Sequence, residues 1–256
     1  FLGGIERQRL AYSSHPELLL YKGYVMLIKP PATLLQGDTG TGKTRSLLTL
    51  IESGIELFVI ATESTGVETL LDGMKSLRLP MDMLHYRHIR PSNMRIKDLI
   101  TSADNSNKKS VGDLQKIDSP AILEKKNYRQ YIDFLEACAN FKDDRTGKIY
   151  GDITEWDDSR AFVVDSLTGL NLMASQLQSG NRGTLTLPDY NVIQLQVEAL
   201  VSMFTGLNCF FVMTGHLELE KDEISGKIKV MTSTVGRKLA PKLPINFSEV
   251  VRTKRE

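Results

Sequence analysis

Between two apolar runs, the chain carries the segment Gly37-Asp38-Thr39-Gly40-Thr41-Gly42-Lys43-Thr44. Its pattern is G-x-x-x-x-G-K-[ST], which is typical of a loop that binds phosphate groups. The three glycines permit backbone conformations that a side chain would penalise, so consecutive amide groups can point into one concavity and hold an anion. Apolar residues before the segment predict a buried strand. Those after it predict a helix whose positive dipole end strengthens the same anion site.

The side chains of this loop suit a nucleotide and its metal ion. The Lys43 ammonium can reach the β- and γ-phosphates, and the Thr44 hydroxyl can coordinate Mg²⁺. Arg45 follows directly, so the candidate nucleotide-binding residues are 37–45. The chain lacks the guanine-recognition pattern N-K-x-D. We therefore expect ATP and Mg²⁺ as the cofactors.

Strand-like and helix-like segments alternate along the rest of the chain, which favours an α/β fold with a mostly parallel, twisted sheet and helices on both faces. Apolar runs on either side of Ser225-Gly226 predict a C-terminal β-hairpin at residues 217–221 and 227–231. The other predicted strands are residues 24–28, 33–36, 57–61, 83–89, 161–165 and 209–213, and the predicted helices are residues 45–53, 67–77, 121–141 and 190–204.

We expect a single domain over residues 1–256, with an N-terminal extension at 1–30 and a polar, partly helical insertion at 101–158. The irregular segments are predicted from local composition, because clusters of Gly, Ser, Thr, Asn and Asp favour turns and loops. The further local expectations are a short helix at residues 16–20, turns at 142–158, a loop at 171–189, and Asp189 as the N-cap of the helix at 190–204.

Two carboxylates follow predicted strands. Asp165 closes the apolar run at residues 161–165, where an aspartate can hold Mg²⁺, usually through water. The next residue is Ser166, so a carboxylate that activates water must come from another position. Glu63 follows the strand predicted at residues 57–61. Because the carboxyl ends of parallel strands open on one crevice, Glu63 can orient or deprotonate the attacking water there.

This order of motifs resembles the RecA-type ATPase core. In more detail, the chain resembles phage-encoded RecA-like ATPases of a P-loop AAA-domain family that includes single-strand annealing proteins. The resemblance covers roughly residues 30–252. It rests on residues 37–44, Ala61-Thr62-Glu63, Asn140-Phe141, Thr146-Gly147-Lys148, residues 164–170, Thr214-Gly215-His216 and residues 236–242.

The resemblance implies a RecA-like P-loop NTPase core, ATP hydrolysis and a homo-oligomeric ring or filament that acts on single-stranded DNA. It places His216 where a polar residue senses the γ-phosphate. It also implies a cation supplied by a neighbouring subunit, for which Arg237, Lys238 and Lys242 are candidates, Arg237 being favoured by its forked guanidinium. The candidate DNA-facing residues are Arg182 in the loop at 171–189 and Lys221, Lys227 and Lys229 in the hairpin.

Composition limits the other classes of protein. The formal net charge is +1, so no global field favours nucleic acid or a membrane. The two cysteines, Cys138 and Cys209, form no C-x-x-C motif, which suits a reducing interior. We find no signal peptide and no apolar run close to a membrane span in length, so we expect a cytoplasmic protein, in the host cell if it is phage-encoded. Because the sequence begins with Phe1 rather than methionine, we do not treat its N-terminus as complete.

Other functions on the same core stay open. The main alternative is a P-loop ATPase of phage assembly or regulation that does not bind DNA, because neither candidate DNA-facing segment has an aromatic platform on which bases could stack. A small-molecule kinase would need an arginine-rich lid and an acceptor pocket, and the sequence indicates neither.

Overall fold

Strands and helices alternate along the chain in the computed structural model, which describes residues 18–21, 24–27, 29–63, 65–91, 96, 100, 104, 128–180, 185–221, 228–236 and 238–255. The strands are β1 (Leu18–Tyr21), β2 (Tyr24–Leu27), β3 (Ala32–Gly37), β4 (Glu56–Ala61), β5 (Leu84–His88), β6 (Phe141–Lys142), β7 (Ile149–Gly151), β8 (Arg160–Asp165), β9 (Phe210–Gly215), β10 (Leu217–Lys221), β11 (Ile228–Thr232) and β12 (Glu249–Thr253). The helices are α1 (Lys43–Ser46), α2 (Leu48–Glu52), α3 (Gly66–Leu77), α4 (Gln130–Ala139), α5 (Leu167–Ser179) and α6 (Leu187–Phe204).

Six of these strands form one sheet in the order β12-β3-β9-β8-β4-β5, and every neighbouring pair is parallel. The predicted α/β fold with a mostly parallel sheet is therefore confirmed. All six carboxyl ends lie along one edge of the sheet. Strand β9 separates β3 from β8, so residues that follow these three strands are brought together at that edge.

The core has two layers, one on each face of the sheet. Side chains of a strand point alternately to opposite faces. Phe58 and Phe162 pack with buried residues of α4, α5 and α6 on one face. Leu57 and Val163 pack with α2 and α3 on the other. Helices therefore cover both faces, as expected, although the single helix predicted at residues 45–53 is divided into α1 and α2 at Leu47.

The prediction of a loop at residues 171–189 was wrong for most of the described residues in that range, which are helical. Helix α5 continues to Ser179, because Leu170, Met173 and Ala174 recur at helical spacing and are buried against the sheet. Helix α6 begins at Leu187, and its N-cap is Thr186 rather than Asp189. Asp189 lies three residues later and accepts hydrogen bonds from Thr186, which completes a capping box.

The described part of the insertion contributes to the core. The predicted helix at 121–141 is present as α4, while residues 121–127 and 105–120 lie outside the described residues. The segment expected to be turn-rich, residues 142–158, contains β7 and the end of β6, and these two strands pair antiparallel. Trp156 is buried, and its ring centroid lies 4.4 Å from that of Phe58. A segment with a polar composition thus contributes a buried aromatic side chain to the apolar core.

Strands also form at two places where none was expected. Leu18–Tyr21 is strand β1, paired antiparallel with β2, so the short helix expected at residues 16–20 was wrong. A run of leucines is compatible with both the helical and the strand period. Pairing with Tyr24–Leu27 makes this segment a strand. Strand β12 was not predicted, and it forms the edge of the sheet beside β3. The predicted C-terminal hairpin is confirmed as the antiparallel pair β10 and β11.

Candidate functional site

The glycine-rich loop connects the carboxyl end of β3 to α1. Gly40 and Gly42 have φ angles of +76° and +87°, in the left-handed region where other residues are strained. Gly37 is restricted by space, because a Cβ there would lie 2.8 Å from the backbone oxygen of Thr253 on β12. Residues 38–40 are exposed. The loop therefore has the backbone conformation that its glycines predict, and it opens to solvent at the carboxyl edge.

Lys43 is folded back into this loop and is only 7% exposed. Its Nζ donates hydrogen bonds of 2.8 Å to the backbone oxygens of Gly37 and Asp38. Burial lowers the pKa of the ammonium, although the negative charges of Asp165, Glu63 and Asp38 oppose that shift. Among the described residues, no carboxylate lies within salt-bridge distance of Nζ. The loop thus encloses a cation that has no carboxylate partner among the described residues.

Asp165 is buried at the end of β8, with only 3% of its surface exposed. The Thr44 hydroxyl donates to its Oδ2 at 2.9 Å, and the Thr214 hydroxyl donates to its Oδ1 at 2.5 Å. Burial raises the pKa of this carboxyl, and Glu63 adds to that shift, whereas the two hydroxyl donors and Lys43 lower it. A cation placed beside Asp165 would favour the ionised carboxylate.

The pair formed by Thr44 and Asp165 fits a magnesium ion. Both residues offer oxygen atoms, which Mg²⁺ prefers, and a Mg²⁺ site usually has one or two carboxylates with water and substrate phosphate as the other ligands. In the part of the chain that the structure describes, no group of three or more His, Cys, Asp or Glu side chains could enclose a metal by itself. The donor set therefore suits an ion that arrives with a nucleotide.

Glu63 follows β4 and is joined to residues after two neighbouring strands. Its Oε1 accepts hydrogen bonds from the Ser166 hydroxyl and from Nε2 of His216, the latter at 3.0 Å. A carboxylate oxygen only accepts, so in this contact Nε2 of His216 carries the proton. The Glu63 side chain is 37% exposed, and water can reach it. The structure thus brings Glu63 and His216 together beside Asp165, although they are far apart in sequence.

Three small hydroxyl residues of this site stand in the motifs named from the sequence but were given no role there. Thr214 binds Asp165, Ser166 binds Glu63, and Thr62 joins the ends of β4 and β8 through its hydrogen bonds to Ser166. Each of them immediately follows or closes a predicted buried strand. That position was the available signal, because polar residues at the carboxyl ends of adjacent parallel strands share one crevice.

Other candidate residues of the loop segment have separate contacts. Arg45 is exposed, and its guanidinium donates to the Ser76 hydroxyl on α3 at 2.9 Å. The Thr41 hydroxyl lies 2.6 Å from that of Thr253 and ties the loop to β12. Thr39 is exposed. Of the candidate set, Lys43 and Thr44 therefore lie closest to the acidic groups of the site.

The candidates for a cation supplied in trans lie beyond β11. Lys238 is exposed, and Nζ of Lys242 lies 3.5 Å from Oε1 of Glu198 on α6. Both lysines line a groove of about 340 Å³ beside α6. Arg237 lies outside the described residues. The lysines are therefore at the surface of this chain, where a second molecule could meet them.

The candidate DNA-facing residues are only partly described. Arg182 and Lys227 lie outside the described residues. Lys221 ends β10, and Lys229 is in β11, opposite Glu220. The hairpin begins directly after His216, and its base is fixed by a hydrogen bond of 2.8 Å from Ser233 N to His216 O. The hairpin is therefore attached to the same strand end that carries His216.

Comparisons with known proteins give no assignment for this chain. No protein-family model matches it, and no curated protein sequence matches it. Within the described part of the chain, no helix is both long enough and apolar enough to cross a bilayer.

Proposed function

We propose that this chain binds and hydrolyses ATP on a RecA-like P-loop core. The observation that carries the proposal is the enclosure of the Lys43 ammonium by the glycine loop, beside the hydrogen-bonded pair of Thr44 and Asp165. Phosphoryl transfer needs a cradle for phosphates, a metal site and a group that positions the nucleophile. Glu63, at the end of the neighbouring strand, supplies the third. The order of these motifs supports the RecA-like class.

Each residue has a defined part in the proposed reaction. Amides of the loop and Lys43 would hold the phosphates, and Thr44 and Asp165 would hold Mg²⁺. When bound, Mg²⁺ offsets the charge that develops on the transferred phosphoryl group. Glu63 accepts a proton from the attacking water. His216, which hydrogen-bonds Glu63, senses the γ-phosphate in this proposal.

The test is phosphate release from ATP by the purified chain, with and without Mg²⁺. We expect turnover that requires Mg²⁺ and yields ADP, and a much slower reaction with GTP. Release of phosphate that is unaffected by chelation of Mg²⁺ would contradict the assigned metal site. No turnover under any of these conditions would contradict the ATPase itself.

We further propose that the ATPase acts on single-stranded DNA in phage recombination, annealing or replication, in the cytoplasm of the host cell. The resemblance to RecA-like phage proteins supports this, together with lysines on the hairpin that follows His216. Phosphate contacts make such binding depend on salt. We expect single-stranded oligonucleotides to stimulate hydrolysis at low salt and to lose this effect at high salt, with duplex DNA as the control.

A second candidate is a P-loop ATPase of phage assembly or regulation that contacts protein instead of DNA. It is favoured by the hairpin surface, where Leu219 and Val230 lie opposite each other and Ile228 adds to the same face. Leu219 is 69% exposed and Ile228 is 64% exposed. Exposed apolar patches of this kind often mark protein contacts. Hydrolysis that is unchanged by any oligonucleotide at low salt would favour this candidate.

A further inference from the structure

The Ser166 hydroxyl hydrogen-bonds a carboxylate, although the residue stands at the N-cap of a helix. The residue is 1% exposed and is the N-cap of α5. A serine at an N-cap usually accepts a hydrogen bond from a backbone amide of the first helical turn. Here the side chain makes no capping hydrogen bond, and it donates to Oε1 of Glu63 instead. The Ser166 hydroxyl therefore binds the Glu63 carboxylate and does not cap α5.

The backbone of Ser166 is fixed by Thr62, the residue before Glu63. Ser166 N donates to the Thr62 hydroxyl at 2.7 Å, and that hydroxyl donates to Ser166 O at 2.9 Å. Thr62 N also donates to Asp165 O at 2.7 Å. Thr62 is 2% exposed, so these hydrogen bonds are shielded from water. They form a clamp, Thr62 with Ser166, that joins the ends of β4 and β8.

The two oxygens of Glu63 have different environments. Oε1 accepts from both Ser166 and His216. Among the described residues, Oε2 has no hydrogen-bond partner. One oxygen is therefore held by two donors, and the other is available to a water molecule. This arrangement fixes the direction in which the carboxylate presents its free oxygen.

We propose that Ser166, held by Thr62, is a positioning residue that orients Glu63 toward the attacking water. The inference rests on the proposed ATPase function. In the reaction, the water oxygen bonds to the γ-phosphorus as the bond from that phosphorus to the bridging oxygen breaks. ADP leaves with the electron pair of that bond, and the water proton passes to Oε2 of Glu63. Ser166 touches none of the reacting atoms and acts only through Glu63.

A double-mutant cycle tests this role, because a residue that acts only through Glu63 has no effect once Glu63 is disabled. Misplacing a reacting group by about 1 Å can cost on the order of 100-fold in rate. We expect Ser166→Ala to lower kcat by about tenfold or more while KM and the binding of a non-hydrolysable ATP analogue stay within about twofold. In the Glu63→Gln background, Ser166→Ala should lower kcat no further.

The matched control is Ser159→Ala at the opposite end of β8. The Ser159 hydroxyl also donates to a carboxylate, Oδ1 of Asp157, at 2.5 Å, and the residue is exposed. We expect its kcat to equal that of the wild-type chain. If Ser166→Ala does not fold, Ser166→Thr and Ser166→Val provide a pair of similar shape that differs in the hydroxyl. The threonine variant should then be faster by about tenfold or more.

Two results would overturn the positioning role while leaving the ATPase intact. One is a wild-type kcat in Ser166→Ala, or equal rates in the threonine and valine variants. The other is an equal loss from Ser166→Ala in the wild-type and Glu63→Gln backgrounds, which would indicate a general structural effect. If the wild-type chain hydrolyses no ATP in the same assay, the proposed function fails and the positioning role falls with it.

Discussion

The Lys43 ammonium contacts two backbone carbonyls and has no paired carboxylate among the described residues. The charge of Lys43 therefore adds little to the stability of the free protein. It would contribute much more to the binding of a polyphosphate. We predict that Lys43→Ala abolishes tight ATP binding and turnover and leaves the thermal midpoint of unfolding within a few degrees of wild type. Lys75→Ala, at an exposed position on α3, is the matched control. Unchanged ATPase activity in Lys43→Ala would contradict the assignment of the loop.

Glu63 tests the proton-transfer step separately from binding. Glutamine has nearly the same shape but cannot take a proton, and loss of a general base typically costs about 10²–10⁴-fold in rate. We predict that Glu63→Gln binds ATP as the wild-type chain does and hydrolyses it slower by that factor, so that it remains ATP-bound. Glu68→Gln, exposed in the first turn of α3, is the control. A decrease of less than about tenfold would show that another group activates the water.

At the scale of secondary structure, Gly169 lets α5 approach the end of β4. A Cβ at this residue would lie 2.2 Å from the Thr62 hydroxyl oxygen and 3.0 Å from the Thr62 backbone oxygen. We predict that Gly169→Ala lowers the free energy of unfolding by about 1–3 kcal/mol, the usual cost of overpacking a core. It should also lower kcat, because the clamp of Thr62 with Ser166 moves. Urea unfolding and steady-state kinetics measure the two effects.

A matched substitution on the same helix separates the contact from any general sensitivity of α5. Leu172 is 49% exposed, and its truncation leaves the Thr62 contact in place. Leu172→Ala should change the free energy of unfolding by about 0.5 kcal/mol or less. Equal stability and kcat in Gly169→Ala and the wild-type chain would mean that the helix moves aside without disturbing Glu63.

The elements that the sequence predicted well are those with a strong apolar period. Strands β4, β8 and β9 are continuous apolar runs because helices cover both faces of the sheet. Helix α5 was missed because its Gly, Ser and Thr content was given more weight than the helical spacing of Leu170, Met173 and Leu177. Strand β12 is short and mostly exposed at the edge, and no local pattern indicates that it pairs with β3.

For the candidate site, roles could be assigned from the sequence to the glycines and the charged residues, whereas their small partners appeared only as members of the quoted motifs. Lys43 and Asp165 stand in recognisable local patterns. Thr62, Ser166 and Thr214 matter only because adjacent strands bring them beside the carboxylates. Serine and threonine occur at many turns, so single positions give no signal until the strand order is known. Catalytic roles for all of these residues stay predictions.

At the scale of the whole molecule, the described candidates for a cation supplied in trans, Lys238 and Lys242, lie at the surface of the chain. Arg45 is bound to Ser76 on α3, and the lysines beyond β11 are exposed. Head-to-tail contacts between identical subunits produce rings or filaments, and such an assembly is what the resemblance to RecA-like proteins implies. We predict that ATP or a non-hydrolysable analogue converts small species into a ring or filament, as measured by sedimentation velocity. A chain that stays monomeric with ATP at full turnover would contradict this prediction.

The same assembly gives a complementation test. If Arg237 acts on the neighbouring nucleotide, Arg237→Ala should lose hydrolysis while an isolated subunit binds ATP nearly as before. Lys43→Ala lacks the phosphate site but keeps Arg237. Mixing the two inactive variants should restore part of the activity, because each supplies what the other lacks. Lys43→Ala is also mixed with Lys238→Ala and, separately, with Lys242→Ala. Comparison of the three mixtures shows which of the three cations acts in trans.

The position of β3 in the sheet has a consequence for how the protein is made. Its phosphate loop is synthesised before both strands that flank β3, because β9 and β12 lie far downstream in the sequence. The contact that ties Thr41 to Thr253 spans 212 positions. Pairings so distant in sequence form slowly. A nascent chain on the ribosome therefore carries the complete nucleotide motif without a site, and arrested chains should retain ATP only once β12 has left the exit tunnel.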